Sequence, residues 1–223
     1  MNSMPTCWSP AVWLSGLALL ASGCVTTPTY DYTAYRASRP ASILVLPPTN
    51  AATEITASDS VLAQATLPLA ESGYYVLPVA LVDETFRQNG LTNADEIAAV
   101  PAAKLREIFG ADAALYINVK EFGSYYIVIG SDTVASADAR LIDLKSGALL
   151  WEGKAKASAS ERRAAAGAGG IIGILVSAIV FQILDDSTNA GHTEAGFMNQ
   201  RLLGAGRPAG LLYGPRSPKY QQD

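Results

Sequence analysis

Two runs of strict alternation constrain this chain most. Ala135, Ala137, Ala139 and Leu141 alternate with Ser136, Asp138 and Arg140. Beyond Lys145, Ser146 and Gly147, the residues Trp151, Gly153, Ala155, Ala157 and Ala159 alternate with Glu152, Lys154, Lys156 and Ser158. Successive side chains of an extended strand point to opposite faces, so a period of two over so many positions predicts a hairpin with one buried face. That face is almost entirely alanine, so a helix should lie unusually close to it, with Trp151 pointing inward.

Upstream, Ser42–Leu46 is an apolar run closed by Pro47 and Pro48, as expected of a strand buried on both faces. A polar, turn-like stretch to Ala57 leads to a helix with Ser58 as N-cap and Val61, Leu62, Ala65 and Leu69 at helical spacing. Pro68 should kink or end it, and Gly73 is a natural stop. Tyr74–Leu77 reads as a second strand. Leu81, Val82, Thr85 and Phe86 form a short helix stopped at Gly90, and Thr92 or Asn93 caps a further turn. Pro101 opens a helix carrying Leu105, Ile108 and Phe109, with Gly110 as its C-cap. Ala113–Val119 is a third strand. The order predicts an α/β fold: a mixed sheet with an antiparallel C-terminal hairpin, packed by helices.

The N-terminus carries an address. Residues 11–23 are uncharged and too short for a comfortable membrane span. Leu20, Ala21, Ser22, Gly23 and Cys24 resemble the lipobox of bacterial lipoproteins. By that resemblance Cys24 is diacylated on its thiol, becomes the mature N-terminus and gains a third chain. Several acyl chains, at about 0.8 kcal/mol per buried methylene, hold a protein on a bilayer essentially permanently. Val25 stands where an aspartate would favour inner-membrane retention, which points to the outer membrane. Residues 1–10 depart from the signal-peptide pattern, because they contain no Lys or Arg. Residues 24–41 follow as lipid anchor and polar tether. Their three tyrosines and Arg36 admit either a docking site or aromatics that simply pack.

The mature chain keeps the full net charge of −4, since no charged residue precedes Cys24. That balance argues against a nucleic-acid partner. Cys7 leaves with the leader and Cys24 is modified, so no structural disulfide is expected.

A second apolar stretch, residues 164–184, carries no charge and is long enough to cross a membrane. Gly169, Gly173 and Ser177 recur every fourth residue, the small-residue face along which helices approach closely, with Ile172 and Val176 beside them. Three readings stand: a second membrane span, a helix packed on its own sheet or on a partner subunit, or a segment that inserts only on assembly. A dinucleotide fingerprint fails, because Ile172 occupies the third glycine position. A short helix from Thr193 to Leu203 follows. The Gly- and Pro-rich tail is expected to be irregular, pinned by Leu211, Leu212 and Tyr213.

His192 is the chain's one histidine and has no G-x-S-x-G nucleophile elbow to serve. No His/Cys/carboxylate cluster has ligand spacing, and carboxylates such as Asp83-Glu84 and Asp95-Glu96 read as helix-surface charge. No enzyme activity, metal or cofactor is implied.

Taken with the lipobox, the stretches GYYVLPVALVDETFRQNGL, FGADAALYINV and GLLYGPRSPKY and the Ser146-Gly147 hairpin with Trp151 resemble a family of Gram-negative lipoproteins, some known as surface antigens. The resemblance implies a fold similar to the N-terminal domain of TolB and, more distantly, to the periplasmic domain of the curli-secretion lipoprotein and to lipoprotein activators of penicillin-binding proteins. It implies a homo-oligomer, dimer or larger, working as a non-catalytic assembly or binding module of an envelope export complex. The alternative is a regulator of a cell-wall-synthesising enzyme. The expected organisation is a leader (1–23), anchor and tether (24–41), an α/β domain (42–160), and an apolar helix with a C-terminal extension (161–223).

Overall fold

The computed structural model describes residues 30–127, 130–167 and 190–222. Within it, Asp31–Asp223 forms one compact unit with its own core. The sheet is built from β1 (Ser42–Val45), β2 (Thr49–Asn50), β3 (Tyr75–Val76), β4 (Ala113–Ile127), β5 (Gly130–Asp143) and β6 (Leu149–Ser158). Its order is β3-β1-β4-β5-β6, with β2 also pairing β4. The strands β3, β1, β4 and β2 pair in parallel, whereas β4, β5 and β6 are antiparallel. The mixed sheet and its C-terminal hairpin are therefore as the sequence predicts.

Helices follow the same order: α1 (Thr33–Ser38), α2 (Ala57–Glu71), α3 (Val79–Gln88), α4 (Ala94–Ala98), α5 (Ala102–Phe109), α6 (Ala159–Gly167) and α7 (Ala190–Leu203). One face of the sheet carries α3, α4 and α5. There Leu44, Leu46 and Ala114 meet Val82, Phe86, Ile97 and Leu105 in a single cluster. The other face carries α2 and α7, whose buried Val61, Ala65, Leu69, Ala195, Met198 and Leu202 lie over the strands. Nδ2 of Asn199 donates to the Val61 carbonyl at 2.8 Å and locks the two helices together.

The alanine face is closed as expected: Ala135, Ala137, Ala139 and Ala157 are buried and α7 packs against β5 and β6. Small side chains let the helix axis approach the sheet, where larger ones would hold it off. Trp151 is 1 % exposed and donates from Nε1 to the Ala209 carbonyl at 2.9 Å.

Several local expectations are corrected. Residues 33–38 of the expected tether are a helix: Tyr35 is buried, and its hydroxyl meets that of Tyr74 at 2.7 Å. Burial of Tyr35 and long-range bonds at its two ends, Tyr32 to Gly210 and Ser38 to Asp143, hold this six-residue segment rather than helical periodicity. The helix α2 runs through Pro68 to Glu71, because Val61, Ala65 and Leu69 already fix it on the sheet. Ser58 lies inside its first turn and donates to the Pro48 carbonyl at 2.9 Å, while Thr56 holds the N-cap position. The third strand is twice the expected length. A bulge between Val119 and Glu121 lets it continue to Ile127, where it pairs back with Gly130. The C-terminal helix begins at Ala190, before the expected Thr193.

Candidate interaction surface

Three surfaces are left once the core is closed. The first is the open half of the sheet, where β4, β5 and β6 extend past the helices α3–α5. It is a lattice of charge: Asp138 lies 3.9 Å from the Lys120 ammonium and 3.7 Å from that of Lys154, and Glu121 pairs with Lys156 at 2.7 Å. Lys156 and Ser136 bond the Glu121 carboxylate and hold its pKa below the ordinary range against a smaller opposing effect of burial. Alternating charges on the outermost strand also discourage edge-to-edge pairing with other sheets.

The second is a two-stranded arm. Residues 124–127 of β4 and 130–133 of β5 pair only with each other, beyond the last partners of β2 and β6. Asp132 at its base accepts from the Ser160 backbone at 2.8 Å and the Ser160 hydroxyl at 2.7 Å, and lies 3.7 Å from the Arg163 guanidinium. Burial opposes ionisation of Asp132, but these hydrogen bonds outweigh it and lower its pKa. They seat the start of α6 on the arm. Gly191, opening α7, faces the Phe122 ring so closely that a Cβ would collide with it. Arg162 of α6 then forms an ion pair with the fully buried Glu194 of α7 and lies 5.0 Å from the Phe197 ring centroid.

This arrangement limits the apolar stretch. The helices α6 and α7 flank residues 168–189, pack on one sheet and are joined by Arg162–Glu194. A single crossing of a bilayer would place them on opposite sides of it, and about 20 residues are needed for each crossing. Gly169, Gly173, Ser177, Ile172 and Val176 themselves lie outside the described residues, as does Cys24.

The third surface is a groove of about 280 Å³ at the opposite end of the sheet, lined by Tyr35, Arg36, Arg39, Tyr74, Tyr213 and Tyr220 among others. Its walls are α1 and the C-terminal tail, which sequence reading expected to be irregular and pinned at Leu211–Tyr213. The tail is so pinned: Leu211 is buried, and the Leu212 carbonyl accepts from the Tyr74 hydroxyl at 2.5 Å. Gly214 N–H donates to Ser72 O at 2.8 Å and Arg216 N–H to Gly73 O at 3.1 Å. Gly73 has φ +96°, and a Cβ there would collide with Ser217, so glycine is required twice over. Tyr32 also donates to the Gly210 carbonyl at 2.6 Å, tying the chain's entry to its exit.

His192 is exposed, and its carbonyl accepts from Gln64 at 2.7 Å. Among the described residues no three His, Cys, Asp or Glu side chains are grouped to hold a metal, and no helix is long and apolar enough to cross a membrane.

Residues 30–216 match the family described as "Putative lipoprotein GNA1162-like". A relative from Neisseria meningitidis serogroup B, named as a putative lipoprotein, is 44% identical over 200 residues, covering 90% of this chain and 92% of its own. The crystal structure of lipoprotein GNA1162 from Neisseria meningitidis superposes with a TM-score of 0.52 over 66% of this chain and all of that one. A PelC dodecamer from Paraburkholderia phytofirmans, at 15% identity and TM-score 0.43, covers 75% of this chain and 91% of its own; at that distance it carries no functional argument. The chain belongs to the GNA1162-like lipoprotein family.

Proposed function

We propose that this protein is a non-catalytic envelope module, held on the outer membrane through acylated Cys24 and working as a binding or assembly part of an export complex. The observation that carries the reading is one of position. The family match begins at residue 30, six residues after the lipobox cysteine, and runs to residue 216. On this reading the lipid anchor at Cys24 and the start of the matched domain are separated by only a short leash. Such a domain works within reach of its membrane and acts through its surfaces: the charged sheet face, the arm and the tyrosine-lined groove. At the back of the groove the Tyr35 and Tyr74 hydroxyls and the Leu212 carbonyl bond one another, which suits a docking surface better than a reaction centre.

Inhibiting signal peptidase II tests the anchor: a heavier precursor should accumulate, and Cys24→Ala should leave the membrane fraction. Unchanged migration together with unchanged fractionation would sink the reading. For the partner, a photo-crosslinking residue at Tyr125 in the arm or Lys154 on the sheet face should capture an envelope export component. Capture of a peptidoglycan synthase instead would move the assignment to cell-wall regulation.

A further inference from the structure

The tether exit carries a charge that the rest of the chain does not. Arg36 and Arg39 on and after α1, and Arg207, Arg216 and Lys219 on the tail, are all exposed. Residues 30–41 and 204–223 set these five cations against only two acidic side chains, Asp31 and Asp223, in a chain of net charge −4. The fold brings the two segments together. Tyr32 is bonded to Gly210, whose own N–H donates to the Arg207 carbonyl at 2.9 Å. The Lys219 ammonium sits 5.5 Å from the centroid of Tyr213, and the Arg216 guanidinium 5.2 Å from that of Tyr75. Cations from two segments at least 168 positions apart therefore form one basic collar.

The groove lies within it. Arg39 takes a left-handed conformation (φ 48°), and its Nε donates to the Arg36 backbone carbonyl at 3.1 Å, while the Arg36 guanidinium lies 5.9 Å from the Tyr32 ring centroid; both arginines line the groove. Behind the two arginines stand Tyr35 and Tyr74 with their hydroxyls engaged, and Tyr213 and Tyr220 close the side. Cationic forks over tyrosine rings match the chemistry of a bilayer interface, where amphipathic rings settle at headgroup depth and guanidinium groups bind phosphate oxygens in pairs.

We infer that this collar docks the domain on anionic phospholipid headgroups, with one headgroup phosphate received between Arg36 and Arg39. The inference rests on the anchor reading for its orientation. Asp31 is seven residues from Cys24, and so at most about 25 Å from it along an extended chain. The collar is therefore the part of the domain that the acyl chains bring to the membrane. The arm, at the other end of β5, lies about 45 Å further along the strand direction and is presented outward.

The test uses the mature chain from residue 24 with Cys24→Ser, which keeps the compact unit and lacks only acyl groups. It is sedimented with phosphatidylcholine vesicles, with and without phosphatidylglycerol. Binding to the anionic vesicles should be about tenfold tighter at low salt, and the preference should vanish at high salt. Arg36→Gln with Arg39→Gln should remove most of the preference. Lys154→Gln with Lys156→Gln, which takes the same charge from the sheet face, should leave it intact. Should the first pair lose the native circular dichroism spectrum, Arg216→Gln with Lys219→Gln replaces it and should weaken the preference in the same direction. Equal binding to both vesicles, or equal losses from collar and sheet-face variants, would overturn the inference. Binding of inorganic phosphate by a wild type that shows no preference for anionic vesicles would also overturn it, by assigning the groove to free phosphate. No acyl group is present, so failure here leaves the Cys24 reading standing, and failure of lipidation leaves this result standing.

Discussion

Trp151 sits on the edge strand of the sheet, yet it is as buried as any central residue, because the tail folds over it and offers the Ala209 carbonyl to its indole. Gly153, two residues on, lies under the ring where a Cβ would collide with it. Trp151→Ala should cost about 3–5 kcal/mol, a large part of the ~5–15 kcal/mol a domain commands. A melting temperature within a few degrees of wild type would refute that. Asp143 makes a different kind of closure. Burial disfavours its charge, but the Ser38 hydroxyl, the Ser146 backbone and hydroxyl, and the Lys145 backbone all donate to it and hold its pKa below the ordinary range. A carboxyl depressed in the folded state stabilises above its unfolded pKa of roughly 4, and that stabilisation fades as pH falls through the lower folded value. Asp143→Asn should therefore lose about 1–3 kcal/mol at neutral pH, and the gap to wild type in urea melts should narrow below about pH 4. A gap constant from pH 7 to pH 3 would contradict this sign. Trp151 was legible in the alternation around it. Asp143 was not: its Lys145 and Ser146 donors sit in the adjacent turn, but the Ser38 partner that completes its closure lies 105 residues away.

At the scale of elements, punctuation read well. Gly90 and Gly110 stop their helices at φ 78° and φ 66°, and the Asn93 side chain caps α4 by accepting from Asp95 N–H at 2.8 Å. What failed to read were elements whose cause is distant. The bulge at Val119/Glu121 shifts the alternation of β4 by one residue, and the apolar run Tyr125–Ile129 that follows has no period at all. Hence the arm was invisible. The basic collar was equally hidden, because its two halves are separated by nearly the whole chain and only the fold adds them. The alanine face, by contrast, forecast a close helix, and α7 supplies it. Ala139→Leu should force α7 off β5 at a cost of typically ~1–3 kcal/mol. The same substitution at Ala155, half-buried on the edge strand, should cost less. Equal denaturation midpoints for the two variants would mean that the helix does not rest on β5.

For the whole molecule the open question is what meets the apolar stretch 164–184. Its flanks are fixed together at the arm base by Arg162–Glu194, and the alanine face is already taken by α7. The surfaces that could cover it are a membrane, other parts of the domain and a second copy of the chain. We propose the second copy. The small-residue ladder of Gly169, Gly173 and Ser177 is the feature that lets two backbones approach, and Ile172 and Val176 beside it would be covered in the same contact. The acyl-free mature chain should accordingly stay in solution without detergent and sediment as a dimer or larger. Gly173→Leu should push the surfaces apart, an overpacking cost of typically ~1–3 kcal/mol, and raise the dissociation constant about tenfold or more. Arg162→Ala offers an independent check at the flank, because it strands the buried Glu194 charge, a loss of about 3–5 kcal/mol in such sites. That variant should melt early whatever the oligomer does. If wild type sediments as a monomer and Gly173→Leu leaves its mass unchanged, the stretch is covered within a single chain and the dimer proposal falls.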